Sequence, residues 1–396
     1  MKRKITLSTC ITIALICVMV TFQVTYFVLF NKYNSILKNF NEYNVNYEKL
    51  STIDSIVKKY FINEIDEKYL TDMLITGYVD GLNDKYSAYL NEEEYAEFLS
   101  DREGSAEGIG IEIYHKKNGE VIISRVVEGS PAELAGIKNG DVLCKIDGEL
   151  LGTNYKDALD KLKAETGSCT VTVKRNGEEK EFVLSKAKFE ATTVSYTKYD
   201  NVGYIRIYTF NDLTENKFKE AVNTLVSENV SGLVFDLRDN LGGSLDSVVS
   251  ILDFLLPEGP IVRLYAKDAE PEIKTSDASC IDVPMAVIIN SYTASAAELF
   301  SSALADYDKA TLVGENTYGK GTVLSVYHLT DSTGLVLSTK MFLPPFSDCF
   351  EGKGVSPDVE VKLSEEIDMP FNMLTYTQDV QLQSAINQIT QGENER

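Results

Sequence analysis

A serine at the start of a predicted helix is the first candidate for chemistry. Ser295 follows a predicted buried strand, Pro284–Ile289, and opens a helix that the pattern places from about Ala294 to Tyr307. The free N–H groups and the positive dipole end of a helix N-terminus stabilise a developing anion, which suits a nucleophile. A serine here is more commonly only an N-cap, so this segment alone favours the capping role.

A lysine between two glycines is the second candidate. Lys320 lies in the segment Gly314–Thr322, whose spacing resembles the phosphate loop G-x-x-x-x-G-K. A phosphate loop must lead into a helix, whereas residues 322–329 alternate as a strand, so a nucleotide site is not favoured. A lysine with apolar neighbours can instead act as a buried base, because burial lowers its pKa from about 10.4 toward neutrality.

A Gly-Gly loop forms the third candidate segment. Residues 236–243 leave a predicted strand and enter a helix through Gly242 and Gly243. Glycines let a backbone N–H group approach a ligand closely, although most such loops are only tight turns. All three segments follow predicted strands, and sites in parallel sheets form at the carboxyl ends of the strands.

Alternating strands and helices over residues 191–375 predict an α/β core. Apolar strands at Gly203–Tyr208 and Gly232–Leu237 alternate with helical segments at Asn216–Glu228 and Leu245–Leu256. Such alternation is typical of a mainly parallel sheet covered by helices. Residues 376–396 form a tail that can be helical.

Residues 105–190 have a different pattern, that of a small, partly open β-barrel. Asn176-Gly177 between two apolar runs is a strong hairpin signal. The other predicted elements of this segment are strands at Ile109–Ile113, Val121–Val127 and Asp141–Asp147 and helices at Ser130–Gly136 and Tyr155–Glu165.

The N-terminal segment is basic and then apolar. Residues 5–30 carry no charge, which exceeds the roughly 20 residues that span a bilayer. The basic residues 2–4 predict a cytoplasmic start and an outward-facing remainder. A cleaved signal peptide or a lipoprotein signal fits poorly, because the apolar run is long and Cys10 comes too early. We therefore predict one transmembrane helix over residues 1–30, followed by a helical stalk or cap over residues 31–104.

Composition argues against several other classes of protein. The net charge of −22 repels phosphate backbones, so no nucleic-acid partner is expected. The cysteines form no C-x-x-C pair, and the two histidines, His115 and His328, fall on predicted strands. These counts argue against a metal site and against a Ser-His-Asp triad. We predict no metal and no cofactor.

The three segments occur together and in order. This combination resembles the pattern of the carboxyl-terminal processing proteases, also called tail-specific proteases. The resemblance covers roughly residues 50–362, and its motifs are specific jointly rather than singly. The shared stretches are Gly81–Leu90, Gly108–Ile113, Gly129–Ala132, Ala135–Ile137, Gly140–Asp141, the Asp-Leu-Arg-x-Asn-x-Gly-Gly loop at 236–243, the Ala-Ser-Ala-x-Glu helix start at 294–298, the Gly-Lys-Gly-Thr turn at 319–322 and Gly354–Asp358.

The resemblance implies a role for each candidate. Ser295 becomes the nucleophile and Lys320 the general base of a serine endopeptidase. The oxyanion hole is expected to combine the N–H of Ala296 with one N–H of the glycine loop, where we favour Gly243 over Gly242.

The resemblance also implies a PDZ domain over residues 105–190 and substrates recognised by their C-termini. Its carboxylate loop is expected at Gly108, Ile109, Gly110 and Ile111, which offer backbone N–H groups to an anion. The expected setting is a bacterial cell membrane, with a single-pass anchor and the catalytic domain outside. A homodimer through terminal helical regions, such as residues 378–391, is plausible from the family.

One position departs from the family pattern. The family usually has Gln four residues after the catalytic lysine, as an orienting third member, whereas this chain has Leu324. Thr322, two residues earlier on the same predicted strand face, is a substitute hydroxyl. The leading hypothesis is therefore an active but slow protease, and the alternative is a PDZ adaptor whose protease core is weakened or inactive.

Overall fold

The computed structural model describes Met19, residues 21–27, Phe30, residues 47–151 and residues 167–394. Most of the predicted anchor and the predicted helix Tyr155–Glu165 therefore lie outside the described residues. Within the described parts of the chain, no helix combines the length and the hydropathy that crossing a bilayer requires.

The chain divides into two compact units, Met1–Ile75 and Thr76–Arg396. Residues 21–27 and 47–60 (α1) of the first unit are helical. The next elements are α2 (Glu67–Asp80), β1 (Ala88–Leu90), α3 (Glu92–Glu103) and β2 (Ser105–Gly108).

A small β-domain follows, with a sheet in the order β3-β4-β5-β7-β8 and β6 beside β5. Its core contains Ile123, Val171 and Val173, which are completely buried. The elements are β3 (Ile111–His115), β4 (Val121–Val126), α4 (Pro131–Ala135), β5 (Val142–Ile146), β6 (Glu149–Leu150), β7 (Ser168–Arg175), β8 (Glu178–Ser185) and β9 (Ala187–Glu190), which pairs with β2.

The first strand of this domain begins later than the sequence predicts. The predicted strand Ile109–Ile113 is in fact β3, which begins at Ile111. Gly110 has a φ of 78°, and a Cβ there would lie 2.0 Å from the Cβ of Ser130. The carbonyl of Ile109 accepts from the N–H of Ala132 instead of pairing in a sheet. Residues 109 and 110 therefore form a turn against α4.

The core contains the predicted parallel sheet, with strand order β10-β11-β12-β15-β16-β19. Only β10 pairs in the antiparallel sense. The strands are β10 (Val194–Tyr199), β11 (Val202–Ile207), β12 (Gly232–Asp236), β15 (Met285–Ile289), β16 (Ala310–Gly314) and β19 (Val359–Glu360).

Helices cover both faces of this sheet, as its apolar strands require. Leu233 and Phe235 pack on one side with α5 (Thr214–Ser227), α6 (Leu245–Leu255) and α7 (Ala296–Asp306). Val234 packs on the other side with Leu382, Ala385, Ile386 and Ile389 of α8 (Val380–Asn394). The predicted tail helix thus exists, and its apolar side chains pack against the sheet of its own chain.

A second core sheet is antiparallel, so the prediction of a mainly parallel sheet describes only half of the core. Its order is β1-β18-β13-β14, with β17 also pairing with β18. The sequence gives little warning of it, because β1 pairs with a strand almost 250 residues later. The strands not yet given are β13 (Gly259–Ala266), β14 (Glu272–Ser276), β17 (Thr322–His328) and β18 (Gly334–Leu343).

Candidate active site

Ser295 lies in a strained turn between β15 and α7. Its φ of 57° and ψ of −118° fall outside the regions that residues with a Cβ prefer. Such strain persists only where the surroundings enforce it, and it clusters at functional sites. Glu298 Oε2 accepts the N–H of Ser295, and the N–H groups of Glu298 and Leu299 donate to the Ser295 carbonyl. The backbone of this turn is therefore fixed by the first turn of α7.

Hydrogen bonds tie the turn before Ser295 to the glycine loop. The Thr293 hydroxyl donates to the carbonyl of Leu237 over 2.8 Å, and the N–H of Ala294 donates to the carbonyl of Asn240 over 2.9 Å. A Cβ at Gly242 would lie 2.8 Å from the Cβ of Ser295. The two predicted segments are thus in direct contact, and only glycine fits at 242.

The amides around Ser295 differ in what they bind. The N–H of Gly242 donates to Asn240 Oδ1 over 2.8 Å, so it is already occupied. The N–H groups of Gly243 and Ala296 have no acceptor within the described residues. The amides open to a ligand are therefore those of Gly243 and Ala296, the pair that the sequence analysis favours.

Lys320 is held in a turn that packs closely on a neighbouring loop. A Cβ at Gly319 would lie 2.8 Å from the backbone nitrogen of Gly354, and one at Gly321 would lie 2.9 Å from Sγ of Cys349. Both positions therefore require glycine, because a side chain at either would collide with the neighbouring loop. Because β17 follows immediately, the turn lacks the helix that a phosphate loop requires.

The carboxylate of Glu298 joins the serine turn to the lysine turn. Its Oε2 accepts the N–H of Ser295 and the N–H of Lys320, each over 2.8 Å. Its Oε1 accepts the N–H of Gly319 over 2.7 Å and the hydroxyl of Thr317 over 2.5 Å. Glu298 is completely buried, so one carboxylate fixes the backbone of both candidate residues in the core.

The environment of Lys320, which is partly buried, destabilises its charged form relative to a lysine in water. Burial lowers the pKa of the Lys320 ammonium below its usual value, Lys85 lowers it further, and Glu351 opposes the shift. The amine lies 4.7 Å from the ring centroid of Tyr86. A buried lysine with a lowered pKa is the state that a general base requires.

Tyr86 reaches the lysine because the turn before β1 is fastened to β18. Asp84 accepts hydrogen bonds from both the N–H and the hydroxyl of Ser87, whose Oγ accepts the N–H of Ser338. The segment containing Tyr86 and Lys85 therefore lies against the lysine turn, although more than 230 residues separate them in the sequence.

The position of the missing glutamine lies within the antiparallel sheet. Leu324 of β17 is paired with Ser338 of β18, and the register shifts between Val323 and Leu324. Two residues earlier, the hydroxyl of Thr322 is buried, and it has no hydrogen-bond partner in the part of the chain that the structure describes. The substitute hydroxyl suggested by the sequence is therefore present and uncommitted.

Leu324→Gln is expected to raise kcat with little change in KM, because an amide at this position can hydrogen-bond the lysine amine and orient it. Misplacing a catalytic group by about 1 Å lowers the rate on the order of a hundredfold, so this factor is the upper limit of the increase in kcat. Thr322→Val is expected to lower kcat. Steady-state kinetics on a peptide substrate measure both effects. A slower Leu324→Gln enzyme contradicts the orienting role of this position.

The predicted carboxylate loop has the geometry of an anion site. The N–H groups of Ile109 and Gly110 donate to no acceptor within the described residues, and Gly110 carries positive φ. The Ser130 hydroxyl donates to the carbonyl of Gly110 and also accepts the N–H of Glu133, which fixes the loop on α4. Backbone amides held in this way form the nests that capture C-terminal carboxylates.

Sequence reasoning missed two residues of this site. Glu298 was visible as the fourth residue of a Ser-x-x-Glu pattern, the signature of a capping box. Tyr86 carried no local signal, since only the pairing of β1 with β18 brings it to Lys320. His328, in contrast, stacks on Tyr95 with ring centroids 5.6 Å apart.

Comparisons with known proteins agree with this geometry. The family model described as Peptidase family S41 matches residues 201–361, and a PDZ domain model matches residues 122–175. A probable CtpA-like serine protease of Staphylococcus aureus (strain COL) is 32% identical over 357 residues, covering 89% of this chain and 71% of the relative. The chain belongs to peptidase family S41. It is a serine-type peptidase, and the resemblance to carboxyl-terminal processing proteases is confirmed.

Two further relatives support the assignment of this S41 peptidase. A probable CtpA-like serine protease of Staphylococcus haemolyticus (strain JCSC1435) is 35% identical over 298 residues, covering 74% of this chain and 60% of the relative. A solved structure, the photosystem II D1 C-terminal processing protease, matches with a TM-score of 0.51 and 26% identity. That match covers 79% of the S41 chain and 86% of the solved chain.

Proposed function

We propose that the chain is an endopeptidase that uses a Ser295–Lys320 dyad and selects protein substrates by their C-termini. The observation that carries the proposal is the shared carboxylate oxygen of Glu298, which accepts the backbone N–H of both residues. A strained serine, a lysine with a lowered pKa and two unoccupied amides surround this link. Together they provide the groups that acyl transfer requires.

Each group has a defined step in the proposed reaction. Lys320 Nζ takes the proton of the Ser295 hydroxyl as Oγ attacks the scissile carbonyl carbon. The N–H groups of Ala296 and Gly243 stabilise the resulting oxyanion. The lysine then gives its proton to the leaving amine, and water hydrolyses the acyl-enzyme by the same route.

A peptide with an apolar C-terminal residue is expected to be cleaved several-fold faster than its amidated form, measured below saturation with the full-length chain. The reason is that the amide cannot accept the N–H groups of Ile109 and Gly110 as a carboxylate does. Ser295→Ala is the control, and it must abolish both cleavage and labelling by a fluorophosphonate. Equal rates for the two peptides contradict selection by the C-terminus but do not bear on the proposed Ser295–Lys320 dyad. If the wild-type chain is neither labelled nor active, the adaptor alternative is favoured.

We further propose that residues 1–30 anchor the protease in a bacterial cell membrane, with the catalytic domain outside. The basic start and the uncharged run of the sequence support this topology. Protease added to intact spheroplasts is expected to digest the chain beyond about residue 32. Immunoblotting measures the loss, and a cytoplasmic protein is the control. Full protection in sealed spheroplasts, with digestion after lysis, contradicts the topology.

A further inference from the structure

Two adjoining cavities lie between the β-domain and the α/β core, and neither is lined by Ser295 or Lys320. Their volumes are about 370 Å³ and about 330 Å³. The walls come from β4 of the β-domain, from β11 of the core and from the segment before α8. The residues that line both cavities are Arg125, Tyr208, Arg206, Arg238 and Asn372.

Arg206 differs from the other two arginines in having no hydrogen-bond acceptor. Arg238 donates to Asp236, Asp379 and Gln381, and Arg125 donates to Glu112 over 2.6 Å. Arg206 is only 9% exposed, and its buried Nε has no partner. Within the described residues its guanidinium makes neither a hydrogen bond nor an ion pair.

Aromatic rings leave one side of the Arg206 guanidinium available. Its central carbon lies 4.4 Å from the ring centroid of Tyr208 and 4.5 Å from that of Phe371. Rings at this distance stabilise a cation by stacking, but they accept none of its N–H groups in the plane. Because the rings accept none of these N–H groups, the Nε–H of Arg206 still lacks an acceptor within the described residues.

Acidic and basic side chains both lie near Arg206, and within the described residues none of them accepts a hydrogen bond from it. Asp236 and Asp379 carry two negative charges, and Arg238, which donates to both, carries one positive charge. Burial raises the pKa of the Asp236 carboxyl, but Arg238 and, to a smaller extent, Arg206 lower it, so that the net pKa lies below its usual value. The buried Nε–H of Arg206 is nevertheless costly, because this donor has lost water without gaining an acceptor.

We propose that this cavity binds a small oxyanion, a carboxylate or a phosphate group, on the edge of Arg206, with Arg125 as the second cation. The fork of N–H groups on a guanidinium matches two oxygens of such a group. The ligand would touch both the β-domain and the core. It would also lie beside Arg238. Arg238 is four residues before Gly242, and the Cα of Gly242 faces Ser295.

Isothermal titration of the full-length chain tests the proposal with two probes, inorganic phosphate and acetate, at constant ionic strength in chloride. Saturable binding of at least one probe is expected, and the stronger one identifies phosphate or carboxylate as the preferred group. Arg206→Met is expected to weaken binding at least tenfold, since Met fills the space between the rings without donors.

Two further variants make the outcome decisive. Arg102→Met changes an exposed arginine of α3 outside the cavities and must leave the affinity unchanged. Arg206→Lys keeps the charge but loses the planar fork, and it must also weaken binding if Arg206→Met fails to fold. The proposal is overturned if neither probe binds the wild-type chain or if the folded Arg206 variants bind as tightly as wild type.

Discussion

Lys320→Ala is expected to lower kcat/KM for a peptide substrate by on the order of 10³- to 10⁴-fold, the range typical of a lost general base. Ser295→Ala is expected to cost at least as much. The double variant should be scarcely worse than either single variant, because nucleophile and base act as one unit. Kinetics of the three variants measure this non-additivity.

The pH profile gives the same prediction a second test. The base acts when it is neutral, so activity is expected to rise with pH through the pKa of Lys320. Because burial lowers that pKa, we expect activity to rise at a lower pH than the pKa of an exposed lysine, which is near 10.5. Lys267→Ala, which changes an exposed lysine, is the control and leaves the profile unchanged. A folded Lys320→Ala chain that retains a tenth of the wild-type activity would rule out the Ser–Lys assignment.

Glu298→Ala is expected to lower both stability and activity. The N–H groups of Ser295, Gly319 and Lys320 and the hydroxyl of Thr317 would lose their buried acceptor. Each unsatisfied group costs about 1–3 kcal/mol, and non-additive losses of about 3–5 kcal/mol are expected in all. Activity of the folded fraction should fall about a hundredfold, because the two turns lose their common anchor.

Glu298→Gln separates anchoring from charge. Its amide oxygen can keep the N–H groups of Ser295 and Lys320, while its NH₂ faces Thr317, whose hydroxyl can turn to accept. Activity within about tenfold of wild type is therefore expected, with Gly319 left unsatisfied. Urea denaturation and kcat/KM are the measurements, and Glu220→Ala on the exposed side of α5 is the control. A fully active, stable Glu298→Ala chain contradicts the anchoring role.

The sequence predicted the parts of the fold that depend on local pattern. The parallel strands β12 and β15 are continuous apolar runs, and the helices between them show clear periodicity. Ser295, Lys320 and the glycine loop could also be nominated from local pattern, because each is a short motif after a strand. Their convergence follows from the rule that the carboxyl ends of parallel strands meet at one edge.

The rest depended on contacts between distant residues, which no single sequence reveals. Tyr86 approaches Lys320 only because β1 pairs with β18. The predicted start of β3 was wrong because Gly110 lies within the alternating run Ile109–Ile113, yet close contact with Ser130 keeps it in a turn. Glu298 was passed over because a glutamate at the third helical position usually serves only as a cap.

The contacts of Arg238 have a consequence for biosynthesis. Asp379 and Gln381, which hold its guanidinium, lie 141 and 143 residues after it in the chain. Nascent chains emerge N-terminal end first, so Ser295 and Lys320 leave the ribosome before these two partners. Until then, Arg238 has only Asp236, and the loop leading to Gly242 and Gly243 is incompletely held. The loop that carries Gly242 and Gly243 is therefore expected to be fully held only after Asp379 and Gln381 have emerged, later than Ser295 and Lys320.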